Sequence, residues 1–356
     1  MKIADRTIGI DHPTYFIAEI GSNHDGEIER AKLLIRLAAD SGANAAKFQS
    51  FSASRIVSDY GYMQMENQLS HQALWEQSVF DVYQDSSMPL EWLPSLKEEC
   101  DEAGVHFLSS PYDFESVDAL EPYVAAFKIG SGEIDWIEAL QHTAAKGKPV
   151  ILSTGASNIG EVNRAVRAIL SINPGLVLMQ CNTNYTGNTE NFSHIHLNVL
   201  KTYAVMYPDL ILGLSDHTHG LATCLGAVAL GARMIEKHFT DDPTREGPDH
   251  PYAMTPEEFR GMVDRTRELE LSLGSTEKQV EANEVETVLI QRRCLRASKD
   301  IAKGETFSRE MIDVLRPAIP DGILPPAIPQ VLGKRAAVDI GRGEALRWVK
   351  IAGSTA

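Results

Sequence analysis

Eight short apolar runs alternate with amphipathic stretches over residues 16–239. They read FIAEIG (16–21), AAKFQSF (45–51), VHFLSSP (105–111), AFKIGSG (126–132), PVILSTG (149–155), LVLMQCN (176–182), LILGLSDH (210–217) and MIEKHF (234–239). The stretches between them include 29–41, 90–103, 161–170 and 221–232, and several stop at a glycine turn such as Ser41-Gly42 or Ala103-Gly104. Strand and helix in alternation imply parallel strands joined by right-handed crossovers. Eight such units in this length predict a closed α/β barrel of the (β/α)8, or TIM, type. An open doubly wound sheet is the alternative. No G-x-G-x-x-G follows the first run, and the KIGSGE segment (128–133) is too short a match to stand for one.

In a (β/α)8 barrel the active site forms at the C-terminal ends of the strands. Here those ends carry Glu19, Lys47 with Gln49, Ser109 with Ser110, Lys128 with Ser131 and Glu133, Ser153, Thr183 with Tyr185, and His217. Any one of them alone reads equally well as a strand-end cap or a satisfied buried polar group. Useful chemistry at strand end after strand end favours a site. His217 and His238 close the last two runs. Imidazoles from adjacent strands can converge on one divalent cation, and two of them leave coordination positions for water and a substrate oxygen. Taken singly, each is an ordinary hydrogen-bonding strand end. His24, His106, His219 and His250 read as turn, supporting or surface residues.

One connection, 52–89, is far longer than the rest. It predicts an excursion over the barrel mouth with Trp75 and Tyr83 as walls, or else a packed helical hairpin. The pattern changes after residue 273. The segment 274–290 reads as a polar linker. Residues 291–356 read as a small β-rich domain with an internal near-repeat, KDIAKGE (299–305) against VDIGRGE (338–344), around the proline-rich 317–329.

The formal net charge is −16 with no Lys/Arg cluster, which excludes a duplex-binding surface. An anion could be held only by a local positive pocket, so lysines at strand ends are informative. The four cysteines are widely spaced and form no C-x-x-C, and no apolar run is long enough to span a membrane or resembles a signal peptide. The expectation is a cytoplasmic protein without nucleic-acid or membrane partners.

In order and spacing, several segments resemble the sialic acid synthase family. They are FIAEIGSNHDG (16–26), AAKFQSF (45–51), FLSSPYD (107–113), FKIGSGE (127–133), ILSTGAS (151–157), LGLSDHTHG (212–220), ALGARMIEKHF (229–239) and GPDHPYAM (247–254). The C-terminal module resembles that family's antifreeze-like (SAF) domain. The resemblance implies a barrel that condenses phosphoenolpyruvate with an N-acyl mannosamine-type sugar, a divalent cation (Mn2+ or Mg2+), and a homodimer in which each SAF domain caps the partner barrel. Residue by residue it implies His217 and His238 as metal ligands, and Lys47, Lys128, Ser131, Ser153 and Ser215 around phosphoenolpyruvate. It makes Glu19 and Glu133 the acidic pair, Gln49, Tyr185 and Asp249 sugar contacts, and Arg316 the residue that the partner's SAF domain inserts. Ser110, Tyr112 and Thr183, in matching segments or at matching strand ends, join the substrate-binding set. The chain departs from the family pattern in three places. It has Asp25 where the family commonly has Asn, Thr186 after Tyr185 where a proline is usual, and no Gly-Asn pair in 52–89.

Those residues suggest a reaction. The lysines and serines orient the enol phosphate, the cation polarises an aldehyde, and Glu19 or Glu133 activates water. The expected activity is N-acetylneuraminate synthase. Alternatives are a legionaminate or pseudaminate synthase, a sugar-phosphate-accepting homologue, a barrel enzyme making an aromatic-pathway 2-keto acid, and an inactive carbohydrate-binding or scaffolding protein.

Overall fold

A computed structural model describes residues 1–65, 75, 77–185 and 188–353. The chain divides into two compact units, Met1–Gly274 and Ser275–Ala356. In the first, a two-stranded hairpin, β1 (Lys2–Ile3) and β2 (Arg6–Thr7), precedes eight parallel strands. These are β3 (Tyr15–Gly21), β4 (Ala45–Ser50), β5 (His106–Pro111), β6 (Phe127–Ile129), β7 (Val150–Ser153), β8 (Leu176–Cys181), β9 (Ile211–Asp216) and β10 (Met234–His238). They close in sequence order, with β10 pairing back onto β3. The open-sheet alternative is thereby excluded, and all eight expected strands are present.

Two cores follow from the period-two alternation of a strand. Residues such as Phe16, Ala18, Phe48, Leu152 and Ile235 face outward and pack on the surrounding helices. Residues such as Ile17, Ala45, Leu108, Ile151, Val177 and Met234 fill the barrel interior, with Ile3 and Ile8 of the N-terminal segment against them. That plug was not anticipated. Its strands are two residues long, too short for any periodicity to register.

Within the described part of 52–89 lie three short helices, Ala53–Ile56, Asp59–Met63 and Val79–Asp85. Much of the rest of that excursion lies outside the described residues.

The second unit bears out the internal repeat. Ile301 and Ile340 pair antiparallel, exchanging backbone hydrogen bonds of 2.9 Å in both directions. Asp300 accepts from the Arg342 amide and Asp339 from the Lys303 amide, at 2.8 and 2.7 Å. Each D-I-x-x-G-E copy therefore caps the turn of the other, a pseudo-twofold arrangement around a core that includes Leu295, Phe307, Ile323 and Leu346. Here β11 (Cys294–Ala297) and β12 (Ile312–Leu315) form the regular antiparallel pair. No helix among the described residues is long and apolar enough to cross a membrane.

Candidate active site

The inward-facing positions at the C-terminal ends of β3, β4, β6, β9 and β10 carry a buried charge network. Lys47 Nζ lies 2.6 Å from Glu19 Oε2 and donates to Ser110 Oγ at 3.1 Å. Gln49 donates to Glu19 Oε1 at 2.7 Å. Lys128 Nζ lies 3.0 Å from Glu236 Oε1, which also accepts from Ser215 at 3.2 Å. Both ammoniums and both carboxylates are almost fully buried. Burial alone would raise the Glu236 carboxyl, but Lys128 and Lys47 outweigh it and pull the group down to about 2. Burial opposes the Lys47 charge, yet Glu19 and Glu236 hold its pKa above the usual lysine value. Glu19 is raised, since burial and the neighbouring Glu236 outweigh the attraction of Lys47.

Beside this network, Ser131 Oγ accepts from the Gly155 amide at 2.9 Å. A Cβ on Gly155 would run into the Thr183 methyl and come within 2.9 Å of Ser131 Oγ, so only glycine lets these three segments meet. Ser153 Oγ is buried with no hydrogen-bond partner among the described residues. Glu133 sits on the turn after β6, packed against Gly130 near Tyr112, and burial pushes its carboxyl up to about 7.

His217, one residue past β9, and His238, the last residue of β10, face one another with ring centroids 5.3 Å apart. His217 Nδ1 donates to the Asn182 carbonyl at 3.0 Å, which leaves the Nε2 lone pair free. Burial, and then His238, pushes the His217 pKa down to about 3, so the ring is a neutral donor. His238 Nδ1 is buried with no hydrogen-bond partner among the described residues, 3.6 Å from Asp249 Oδ2. No cluster of three or more His, Cys, Asp or Glu able to hold a metal occurs among the described residues. The pair nevertheless fits a hard or borderline cation that completes its shell with water and substrate oxygens.

Above the histidines is a cavity of about 160 Å³. Its lining includes Gln49, Phe51, Trp75, Tyr83, Tyr112, Tyr185, His238 and Asp249. Trp75 and Tyr83 thus wall a pocket, as expected of the excursion. Tyr185 stacks edge-on against His217 at 4.4 Å. Asp249 accepts from Ser22 at 3.2 Å and also from Tyr252, which seats it at the rim.

The barrel therefore brings together every expected site residue except Arg316. That arginine belongs to the second unit, is exposed, and donates from Nε to the Gln291 carbonyl at 2.6 Å. Of the other histidines, His24 accepts from the Gly26 amide within its turn, and His250 lies between Thr240 and Asp25 at 2.8 Å each. His106 bridges Tyr15 and Asp5, and His219 is exposed on a turn.

Comparison with known proteins accounts for this layout. The NeuB family model matches residues 34–278, and the SAF domain model matches residues 292–352. The chain belongs to the NeuB family. It is 36% identical to the N,N'-diacetyllegionaminic acid synthase of Campylobacter jejuni, over 94% of this chain and 99% of that one. It is 33% identical to the pseudaminic acid synthase of the same species, over 95% and 96%. The crystal structure of the N-acetylneuraminic acid (sialic acid) synthetase of Leptospira borgpetersenii superposes with a TM-score of 0.70 at 29% identity, covering 81% of this chain and 94% of that one.

In this NeuB-family barrel one central group escaped the sequence reading. Glu236 sits between two residues that attract more notice, and its neighbour Lys237 looks equally polar. Strand alternation separates them. Met234, Glu236 and His238 face inward, whereas Ile235 and Lys237 face the helices. Applied to EKH, the same rule would have placed Glu236 beside the catalytic candidates.

Proposed function

We propose that the chain is a nonulosonic acid synthase. It joins phosphoenolpyruvate to the open-chain aldehyde of an N-acyl mannosamine-type sugar, consumes water and releases inorganic phosphate by C–O cleavage. The single observation that carries this reading is the pair of buried lysines, Lys47 and Lys128, beside two facing imidazoles at the tips of one barrel.

Lys47, Lys128 and the hydroxyls of Ser110, Ser131, Ser153 and Ser215 neutralise and orient the phosphate and carboxylate of the enol. A divalent cation, Mn2+ or Mg2+, held by His217 and His238 would supply Lewis-acid polarisation of the aldehyde oxygen. The enol's C3 forms the new bond to the aldehyde carbon, and positive charge builds at C2. Water adds at C2, its proton passing through a carboxylate to the former aldehyde oxygen, and the C2–O bond to phosphate then breaks as the C2 hydroxyl gives its proton to the departing phosphate and becomes the carbonyl. Glu133 suits that proton transfer because a carboxyl held near 7 can both accept and release a proton at neutral pH; Glu19 is the second candidate. Gln49, Tyr112, Thr183, Tyr185 and Asp249 position the sugar. In the proposed homodimer, Arg316 of one SAF domain reaches the partner's acceptor.

N-acetylneuraminate is the expected product, with N,N'-diacetyllegionaminate as the second reading on the strength of the 36% relative. Purified protein with phosphoenolpyruvate, Mn2+ and a panel of free N-acyl and di-N-acyl hexosamines tests this. Phosphate release that requires one sugar, with a product whose mass is that of enol phosphate, sugar and water together less phosphoric acid, is the expected result. No release with any member of the panel defeats it.

A further inference from the structure

Three segments at the mouth of the barrel meet on one carboxylate. Asp25, in the turn after β3, has a left-handed backbone with φ of 52°. Aspartate and asparagine both tolerate that conformation, so the backbone does not choose between them. The partners do. Asp25 Oδ1 accepts from His250 Nε2 at 2.8 Å. Its Oδ2 accepts from Arg245 Nε at 2.8 Å, and lies 2.7 Å from Arg245 Nη2 and 3.0 Å from Arg30 Nε. A carboxylate meets these donors with two acceptor oxygens. An amide has one, and its NH2 would face another donor.

The same contacts fasten the loop after β10. Arg30, on the helix Ile28–Asp40, grips the start of that loop by forking onto Asp241 at 3.0 and 2.5 Å. His250 grips its far end and is fully buried. Because the Asp25 carboxylate only accepts, Nε2 carries the ring proton, and in the neutral ring Nδ1 accepts from the Thr240 hydroxyl at 2.8 Å. Thr240 Oγ1 accepts in turn from the Asp242 amide at 3.2 Å. The ring also packs on Gly247, where a Cβ would come within 2.7 Å of His250 Cδ2. The loop is therefore closed around the His250 ring, and Asp25 ties that ring to the turn after β3.

Asp249 immediately precedes His250 and lines the cavity. Its carboxylate is seated by Ser22 at 3.2 Å and by Tyr252, but Tyr252 belongs to the same segment and moves with it. The buried bond from His250 to Asp25 is the anchor that holds the Asp249–His250 peptide from outside. It is charge-assisted and shielded from water. The Arg245 pair contributes less, since Arg245 is 42% exposed and its attraction is screened.

Resting on the placement of Asp249 at the sugar proposed above, we infer that Asp25 is a positioning residue for the acceptor. Through His250 it fixes the loop after β10 so that Asp249 meets the sugar, and it plays no part in holding phosphoenolpyruvate.

The test uses the full-length protein with Mn2+ and saturating phosphoenolpyruvate, varying N-acetylmannosamine or the panel hexosamine that releases phosphate fastest. Asp25→Asn is isosteric and suits the left-handed backbone. We expect its sugar KM to rise about tenfold or more, since a displaced positioning group can cost up to about 100-fold. Its kcat and its calorimetric Kd for phosphoenolpyruvate should change little. Arg245→Gln should give a smaller rise of the same kind. In an Asp249→Asn background, Asp25→Asn should add almost nothing, because residues that act through one another are not additive. An unchanged sugar KM overturns the inference and leaves the proposed reaction intact. So does a parallel loss of kcat and phosphoenolpyruvate affinity, which general loosening of the barrel would cause, or an equal factor in both backgrounds. If circular dichroism shows Asp25→Asn unfolded, Arg245→Gln decides by the same comparisons. If Asp249→Asn itself leaves the sugar KM unaltered, Asp249 is no sugar contact, and that assignment falls together with this one.

Discussion

Lys237 Nζ lies 3.0 Å from Asp216 Oδ2 on the outer side of the barrel, one residue before each of the two site histidines. Both side chains are essentially inaccessible to solvent. Asp216 also accepts from Thr218 and from Thr223 at 2.7 Å, while Lys237 reaches the Thr218 carbonyl. Because neighbouring strand residues face opposite ways, this ion pair ties β9 to β10 from behind while His217 and His238 face each other in front.

Lys237→Met would leave the Asp216 carboxylate buried without its counter-charge. Removing one partner of a buried pair typically destabilises by about 3–5 kcal/mol. We expect a loss of that order in urea unfolding, and a smaller one for Asp216→Asn with Lys237→Met, where no charge remains uncompensated. Equal losses in the single and double variants would contradict the account.

Glu133 gives a pH dependence of defined sign. Its carboxyl is raised in the folded protein to about 7, against 4.5 for an unperturbed group. Below 4.5 it is protonated in both folded and unfolded chains and makes no difference. Between 4.5 and 7 the unfolded chain ionises first, so folding stability is lost progressively, and above 7 the loss is constant. At about 1.36 kcal/mol per pKa unit, Glu133→Gln should raise stability by about 3 kcal/mol at pH 8 and by nothing near pH 4. Its activity should move the other way. The wild-type kcat/KM should rise to a plateau through pH 7, and the variant should lose that limb and roughly 10²–10⁴-fold in rate. A variant that keeps the limb would return the proton-transfer role to Glu19.

Glu236→Gln tests a residue that the sequence motifs did not single out. The eight strands and the polar tips were readable because strand–helix alternation and strand-end chemistry leave local marks. Lys47, Lys128, His217 and His238 all follow from them. Strand alternation puts Glu236 on the inward face, but its role comes from Lys128 on β6, far away in sequence, which no local pattern reveals. The same holds for the Ile3 and Ile8 plug and for Gly155, whose constraint is the Thr183 methyl from the next strand's loop. With Glu236→Gln the Lys128 ammonium loses its neutralising partner. Because Glu236 is ionised down to about pH 2, the substitution changes the site's charge across the whole working range. We expect tighter binding of phosphoenolpyruvate by calorimetry but a kcat reduced at least about tenfold, because Lys128 is no longer held at its angle. Unchanged kcat would show that Glu236 only balances charge.

Gly155→Ala probes the seam between β6, β7 and β8. The added methyl meets Thr183 and crowds Ser131 Oγ, so β7 and the loop after β8 must separate. Overpacking of this kind is destabilising by about 1–3 kcal/mol. Since Ser131 is displaced too, the KM for phosphoenolpyruvate should rise while the KM for the sugar changes little. Thr183→Ser removes the methyl that collides first, so combining it with Gly155→Ala should recover part of the stability. Failure to recover any would place the strain at Ser131 instead.

Removal of the second unit separates folding from catalysis. Met1–Gly274 has its own closed barrel and both of its cores, and the Leu295–Ile351 cluster belongs wholly to Ser275–Ala356. Truncation after Gly274 should therefore leave a cooperative thermal transition and the circular-dichroism signature of an α/β protein. If Arg316 of a partner completes the acceptor site, the truncated barrel should still bind phosphoenolpyruvate but turn over slowly. Arg316→Ala in the full chain should reproduce the defect mainly as a raised KM for the sugar. Mixing full-length Lys128→Ala with Arg316→Ala, at a sugar concentration far below the raised KM so that each variant alone is nearly silent, gives the sharper reading. Subunit exchange would create heterodimers in which one intact barrel meets one intact arginine, so activity should return towards about a quarter of wild type, since half the mixed sites are competent in the half of dimers that are mixed. No recovery after verified exchange would show that the arginine serves its own chain or none.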